Sequence, residues 1–307
     1  MNTHHTPVLF TESLNYLITN PSGVYFDGTL GFGGHSEGIL KMLDDNGVLV
    51  ASDVDTDAFN YSKKKFNGDK RVRLYNYNFS QIDIIAKIES IPFFDGIFAD
   101  LGVSSFQLDN PESGFTYRQE AKLDLRMDKT KVISAADVIN SFGEEDLADI
   151  IYNFGEEKNS RKIARRIVAR RADKRIETTT DLNEIIREIT PPNYHIKTLS
   201  RVYQAFRIFV NDELNILKSF IDTSAGLLKQ GGRIVLISYH SLEDRIVKDT
   251  FRYETLDCIC PKEYPVCRCD KEQRLKILTK KPVIPSEDEV KNNFRARSAK
   301  LRAAERV

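Results

Sequence analysis

Four glycines fall within Asp27-Gly28-Thr29-Leu30-Gly31-Phe32-Gly33-Gly34-His35-Ser36, among residues that carry a carboxylate, hydroxyls and an imidazole. Glycines permit a tight turn and let the backbone approach a ligand closely. A dinucleotide-binding turn would read G-x-G-x-x-G and seat a pyrophosphate on a helix N-terminus. Counted from Gly31, the last position is Ser36, so that fingerprint is not met. Asp53 follows Gly33 by twenty residues, where a carboxylate can accept both hydroxyls of a ribose. Asp100 is a third acid at the end of an apolar run, and His240, Glu243, Asp244 and Arg245 follow another. Cys258, Cys260, Cys267 and Cys269 share one twelve-residue stretch. They read either as a four-thiolate zinc loop, closed and therefore structural, or as a thiol-rich surface hairpin; C-x-C is not the commonest zinc spacing.

The elements that must hold these groups are legible as alternating strands and helices. Val24–Asp27 reads as a strand ending in an acid, and a helix follows over Ser36–Leu43. Strands are expected again at Val48–Asp53, Val72–Tyr75 and Gly96–Asp100. From about Asn110 to Val202 the pattern is helical, and strand character returns at Gly231–Ser238 after an amphipathic helix ending near Leu228. The expected fold class is α/β: a parallel, doubly wound sheet interrupted by a helical insertion. Expected boundaries are 1–109 for the first part of the sheet domain, 110–202 for the insertion, and 203–307 for the second part. That second part includes the cysteine loop 258–269 and, from Lys291, a basic polar tail expected to lack order of its own.

Composition narrows the class without naming a function. Basic and acidic residues are equal at 45 each and 41% of the chain is apolar, which suits a globular protein able to bury a core. No run of about 18 apolar residues suggests a membrane span. The N-terminus shows no secretory pattern, so the expected location is the cytoplasm. Zero net charge argues against a protein that coats nucleic acid everywhere but leaves local patches open.

Asp27 before the glycine turn, Asp53, Asp100 and the Leu228-Lys229-Gln230-Gly231-Gly232 entry to the late strand together resemble class I, Rossmann-like S-adenosylmethionine-dependent methyltransferases. Further strings sharpen the match: Leu101-Gly102-Val103-Ser104-Ser105-Phe106-Gln107-Leu108-Asp109, Leu123-Asp124-Leu125-Arg126-Met127-Asp128, Phe154-Gly155-Glu156-Glu157 and Gln204-Ala205-Phe206-Arg207-Ile208-Phe209-Val210-Asn211. With His5-Thr6-Pro7-Val8-Leu9, Ser238-Tyr239-His240-Ser241-Leu242-Glu243-Asp244-Arg245 and Arg295-Ala296-Arg297-Ser298-Ala299-Lys300-Leu301-Arg302, the set resembles the bacterial 16S ribosomal RNA (cytosine-N4) methyltransferase family, called RsmH or MraW. The resemblance runs in order from residue 5 to residue 306. It departs at Ala121-Lys122, at Thr198-Leu199-Ser200-Arg201 and at Phe294, all outside the cofactor motifs.

The resemblance implies S-adenosylmethionine as cofactor, small-subunit ribosomal RNA or the 30S subunit as partner, and cofactor contacts from Gly33, Gly34, His35, Asp53, Phe79, Asp100 and Gln107. Read alone, Phe79 suits a core position as well as an adenine stack, and His35 suits a hydrogen-bonding group better than a base. Many amino methyltransferases carry an acid-or-Asn-Pro-Pro-aromatic turn after the fourth strand. Here that turn is Asp100-Leu101-Gly102-Val103, so Asp100 is left to contact cofactor, amine or both. Asp100 and His240 are the candidate catalytic residues, with a capped helix start as the other reading of His240. A nucleotide-cofactor oxidoreductase and a non-catalytic ribosome-assembly factor are the competing functions.

Arg161 to Arg175 carries eight basic residues and only Asp173 as an acid. At helical spacing Ile163, Ala164, Ile167 and Val168 would face a core, leaving Arg161, Lys162, Arg165, Arg166, Arg170 and Arg171 as candidate RNA-phosphate contacts. On a neutral protein the balancing acids are expected elsewhere, concentrating a positive field on this helix.

Overall fold

A computed structural model describes residues 7–103, 114–261, 263 and 266–307. The chain divides into two compact units, Met1–Gly102 with Leu214–Val307, and Val103–Glu213. The sequence places the divisions at 109/110 and 202/203. The later return has a packing reason: the helix His195–Asn211 buries Val202, Tyr203, Ala205 and Phe206 in the core of the helical unit.

The first unit is a seven-stranded sheet in the order β3-β2-β1-β4-β5-β7-β6. Its strands are β1 (Val24–Asp27), β2 (Val48–Ser52), β3 (Val72–Tyr75), β4 (Phe94–Asp100), β5 (Leu228–Ser238), β6 (Leu275–Ile277) and β7 (Lys300–Arg306). The pairs among β1 to β5 are parallel, and β7 runs antiparallel between β5 and β6. The tail expected to lack order therefore supplies an interior strand. Leu301, Ala303 and Ala304 are buried, and Arg302 pairs with Asp244, which offsets the cost of enclosing its charge.

Parallel strands buried on both faces read as continuous apolar runs, and that is how these segments are written. On one face Phe26, Val50, Ile97 and Ile234 pack against α4 (Ile82–Ile88), α10 (Glu213–Leu227) and α11 (Ser241–Glu254). On the other, Tyr25, Leu49, Phe98, Val235 and Ile237 pack against α1 (Phe10–Leu17) and α2 (Gly34–Met42). The remaining helix of this part of the unit, α3 (Thr56–Lys65), is capped by Asp55, whose carboxylate accepts from Asp57 and Ala58 N–H. Register brings the strands to a common carboxyl edge: Asp27 lies opposite Ala51 of β2 and Phe98 of β4, and Asp100 lies opposite Ile237 of β5.

The second unit is helical: α5 (Ala135–Ser141), α6 (Glu144–Gly155), α7 (Ser160–Asp173), α8 (Thr179–Ile189) and α9 (His195–Asn211). Ser134 with Asp137, and Thr178 with Asp181, form capping boxes at α5 and α8. Two of the family-like strings interlock here. Asn211 donates to Leu125 O at 2.7 Å and accepts from Met127 N at 2.8 Å, while Arg126 and Asp124 form a two-bond ion pair. No helix among the described residues is long and apolar enough to cross a membrane.

Candidate active site

The carboxyl edge of β1, β2 and β4 collects three acids. Asp27 is fully enclosed; its Oδ2 accepts from Ser36 Oγ at 2.6 Å and its Oδ1 from Thr29 N at 3.0 Å. The Thr29 hydroxyl accepts from Asp100 N at 2.7 Å and lies 3.4 Å from Asp27 Oδ1, tying the ends of β1 and β4 together. Asp53 accepts Gly31 N–H at 2.7 Å on one oxygen and Asp55 N–H at 2.9 Å on the other. A carboxylate has about four acceptor positions, so each oxygen keeps capacity for a ligand hydroxyl.

Burial pushes all three above the usual 3.8: Asp27 and Asp53 to about 6, Asp100 to about 7. Asp27 adds to the rise of both others by repulsion, and Glu243 adds to that of Asp100. Closely set buried carboxylates favour a cationic ligand, which would relieve that repulsion.

The glycine turn shapes the rest. Gly33 has φ +74° and caps α2; a Cβ there would lie 2.6 Å from the Phe66 ring, so conformation and space both demand glycine. Gly34 opens the helix against Pro7, which a Cβ would meet at 2.7 Å. His35 is buried with Nε2 3.1 Å from Val8 O, so that nitrogen carries the proton and donates. Its Nδ1 faces Asp100 Oδ2 at 3.9 Å, and its ring lies 4.5 Å from that of Phe98. Phe79 is half-buried and presents its ring to Phe220 edge-on at 4.9 Å.

Asp100 has a partner that the sequence did not single out. Tyr239, directly after β5, donates to Asp100 Oδ1 at 2.7 Å. Burial and the adjoining Asp100 carboxylate hold the Tyr239 phenol well above its usual range, so it is a permanent donor. Asp100 still has 22% of its side-chain surface exposed, a face open to a ligand.

His240 sits at the N-cap of α11. Its Nδ1 accepts Glu243 N–H at 3.3 Å, and the Glu243 carboxylate accepts from Tyr239 N and His240 N. The proton of the neutral ring therefore belongs on Nε2, 3.1 Å from Glu243 Oε1. Besides capping α11, His240 lines a cleft of about 320 Å³ with Tyr239, Ile284, Pro285, Arg297 and Lys300. Further along α11, Asp244 is held by Arg302 and Lys300 at 2.6 and 3.2 Å. Gln107 lies outside the described residues.

In the helical unit, Ile163, Ala164 and Ile167 of α7 are buried as the spacing predicts. The expected distance between its arginines and their balancing acids is not found. Arg166 pairs with Glu188, Arg170 with Glu184 and Glu188, and Arg165 with Glu144 at 3.5 Å. Arg171 donates to Ile139 O at 2.6 Å and Lys162 to Ile189 O at 3.2 Å, while Arg161 is exposed. The acids sit on adjoining helices, so the field of α7 is weaker than its own sequence suggests.

Comparison with known proteins adds a family to this geometry. The family model of the MraW methylase family matches residues 2–307. The protein named ribosomal RNA small subunit methyltransferase H in Caldicellulosiruptor saccharolyticus is 48% identical over 304 residues, covering 99% of each chain. Its namesake in Fusobacterium nucleatum is 47% identical over 307 residues, covering 100% of this chain and 98% of that one. The Clostridioides difficile protein of that name is 44% identical over 313 residues, covering both chains completely. A solved rRNA methylase from Streptococcus thermophilus aligns over 97% of this chain and 93% of its own, at 10% identity and a TM-score of 0.41, too loose a likeness to carry an argument.

Proposed function

The chain belongs to the MraW methylase family, and from that premise we propose that it methylates the exocyclic N4 amine of a cytosine in small-subunit ribosomal RNA, using S-adenosylmethionine. The observation that carries the reading is the trio of carboxylates at one sheet edge, each pushed up to about 6 or 7. A sulfonium cofactor with an ammonium group suits that edge, whereas the pyrophosphate of a dinucleotide would bring further negative charge to it.

The residues present fit such a cofactor. Asp53 would take the ribose hydroxyls on its open acceptor positions. Gly33, Gly34 and His35 would supply close backbone approach at the start of α2. Phe79 would contribute its exposed ring surface, and Gln107 stays a contact implied by family resemblance. When bound, the cofactor supplies an electrophilic methyl group.

The chain's own task is to make a poor nucleophile effective. Cytosine's amino nitrogen delocalises its lone pair into the ring, and a hydrogen bond accepted from the amine favours release of that density. Asp100 would accept it. Tyr239 holds one carboxylate oxygen by its 2.7 Å bond, which fixes where the other points. As nitrogen gains carbon it must lose a proton, and Asp100 would receive it. His240, the second catalytic candidate, would act by ordering the start of α11, which it caps, and by lining the cleft there. The target base must leave its stack to reach such an edge.

Arg165, Arg166 and Arg170 would contact RNA phosphates by exchanging their acid partners, Lys162 and Arg171 by leaving backbone carbonyls, and Arg161 from its exposed position. Exposed ion pairs contribute only about 0–1 kcal/mol, so a polyanion can displace them. Work on ribosomal RNA or the 30S subunit would put the protein in the cytoplasm. Two measurements test the reading: calorimetric titration with S-adenosylmethionine, and transfer of its tritiated methyl group to small-subunit RNA or 30S particles from cells lacking the protein. Cofactor binding without transfer to either substrate would leave an assembly factor; no cofactor binding would sink the enzyme reading altogether.

A further inference from the structure

The segment between α11 and β6 has little to hold it together by burial. Ile259 is 49% and Val266 69% exposed, and no helix or strand forms among its described residues. Its ends are nevertheless clamped. Buried Glu254 receives Arg274 Nε at 2.6 Å and Lys271 Nζ at 3.0 Å, and Glu254 O accepts Arg274 N–H at 2.9 Å. Above this clamp four thiols converge.

Cys258, Cys260, Cys267 and Cys269 bring their Sγ atoms within 4.8 Å of one another. Individual separations are 3.4 Å for Cys258–Cys267, 3.6 Å for Cys267–Cys269, 3.8 Å for Cys258–Cys269 and 3.9 Å for Cys260–Cys267. Four sulfurs each about 2.3 Å from a zinc ion at a tetrahedral centre stand about 3.8 Å apart. The cluster therefore has the size of a zinc coordination shell, whereas disulfides need sulfurs at about 2.05 Å.

Backbone donors give a second, independent sign. Ile259 N–H points to Cys269 Sγ at 3.3 Å, Cys260 N–H to Cys258 Sγ at 3.4 Å, and Arg268 N–H to Cys260 Sγ at 3.2 Å. Donors aimed at sulfur favour thiolates over thiols and orient them, which is the outer support that metal ligands require. We propose that these four cysteines form a closed, structural site for one divalent zinc ion, which replaces the missing apolar core of the loop. All four positions are taken by protein, so no ligand site is left open for catalysis. Each bound thiol gives up its proton on coordination, and no oxidant or reductant is involved.

The full-length protein, purified under reducing conditions without chelator, should hold about one zinc per chain by elemental analysis. The double variant Cys258→Ser/Cys260→Ser should hold less than a tenth of that. Cobalt offered to the metal-stripped wild type should give the intense visible bands of a tetrahedral thiolate complex, a readout that does not depend on the variant folding. Wild-type protein that binds neither zinc nor cobalt at equimolar concentration would overturn the proposal. So would undiminished zinc in a folded double variant, or a mass deficit showing two disulfides in protein taken from reducing cells.

Discussion

The Tyr239 hydroxyl donates a 2.7 Å hydrogen bond to Asp100 Oδ1, joining the residue after β5 to the last residue of β4. The bond lowers the Asp100 pKa against the larger rise caused by burial. It also restrains a carboxylate whose remaining oxygen would meet the substrate amine. In the proposed reaction Tyr239 would thus be a positioning residue.

Removing that hydroxyl should change turnover and leave cofactor binding alone. A hydrogen bond to a charged acceptor contributes about 1.5–3 kcal/mol, so Tyr239→Phe should lower kcat roughly tenfold or more. Loss of a bond that lowers the Asp100 pKa should also move the acid limb of the pH profile upward. A purely structural role would leave that limb in place. Asp100→Asn should cost more turnover than Tyr239→Phe, with S-adenosylmethionine affinity less affected.

Asp53→Ala should act on the other half of the reaction. The paired ribose bonds are worth about 1.5–3 kcal/mol, or roughly 10- to 150-fold in Kd. Asp53 also accepts Gly31 N–H, so Asp53→Asn, which retains an acceptor for the turn, provides the control. Unchanged affinity in folded Asp53→Ala, by calorimetry, would remove Asp53 from the cofactor site.

The raised carboxylates couple cofactor binding to protons. Folded pKa values of about 6, 6 and 7 stand above the usual 3.8, so between pH 4 and 7 the unliganded fold holds more protons than the unfolded chain. The stability of the protonated groups is fully present below about pH 4 and is lost as pH rises through 6 to 7. For Asp27 alone that is on the order of 3 kcal/mol. A cation bound at this edge pulls the three values down. S-adenosylmethionine should therefore bind with proton release near pH 6, and its affinity should climb from pH 5 to about 7 before levelling. Calorimetry in two buffers of different ionisation enthalpy measures the protons directly; none released would mean the cofactor's charge is not met by these acids.

The acidic sheet edge is legible in the sequence because its signals are local. Apolar strands ending in Asp27, Asp53 and Asp100, with glycines after the first, follow from adjacent residues alone. β7 is not legible. Lys300–Arg306 is short and charged, and becomes an interior strand only because β5 and β6 pair with both its edges and Asp244 receives Arg302. Tyr239 is hidden for a related reason: its meaning lies in a bond to a residue 139 positions away. The same blindness to distant partners affects α7, where helical spacing reveals the buried face but not the acids on other helices.

Those acids determine how the basic helix can be tested. Reversing Arg166 and Arg170 would set like charges against Glu184 and Glu188 and unsettle the helical unit before RNA is involved. Arg161 is exposed, and Arg165 meets Glu144 only at 3.5 Å with 79% of its side chain exposed. Arg161→Glu with Arg165→Glu should therefore leave the fold intact while weakening RNA binding. The salt dependence should flatten by roughly 0.7–0.9 in slope for each phosphate no longer neutralised. Glu184→Gln with Glu188→Gln makes the opposite change: it frees Arg166 and Arg170 from competition and should tighten RNA binding and steepen the slope. S-adenosylmethionine affinity should be constant across the series, since Gly33, Gly34, His35, Asp53, Phe79 and Asp100, the proposed cofactor contacts of the sheet edge, belong to the other unit. Opposite shifts in the two variants are what phosphate binding by this helix requires. If neither variant changes RNA affinity or its salt slope, α7 is a solvated face whose charge is balanced within its own unit.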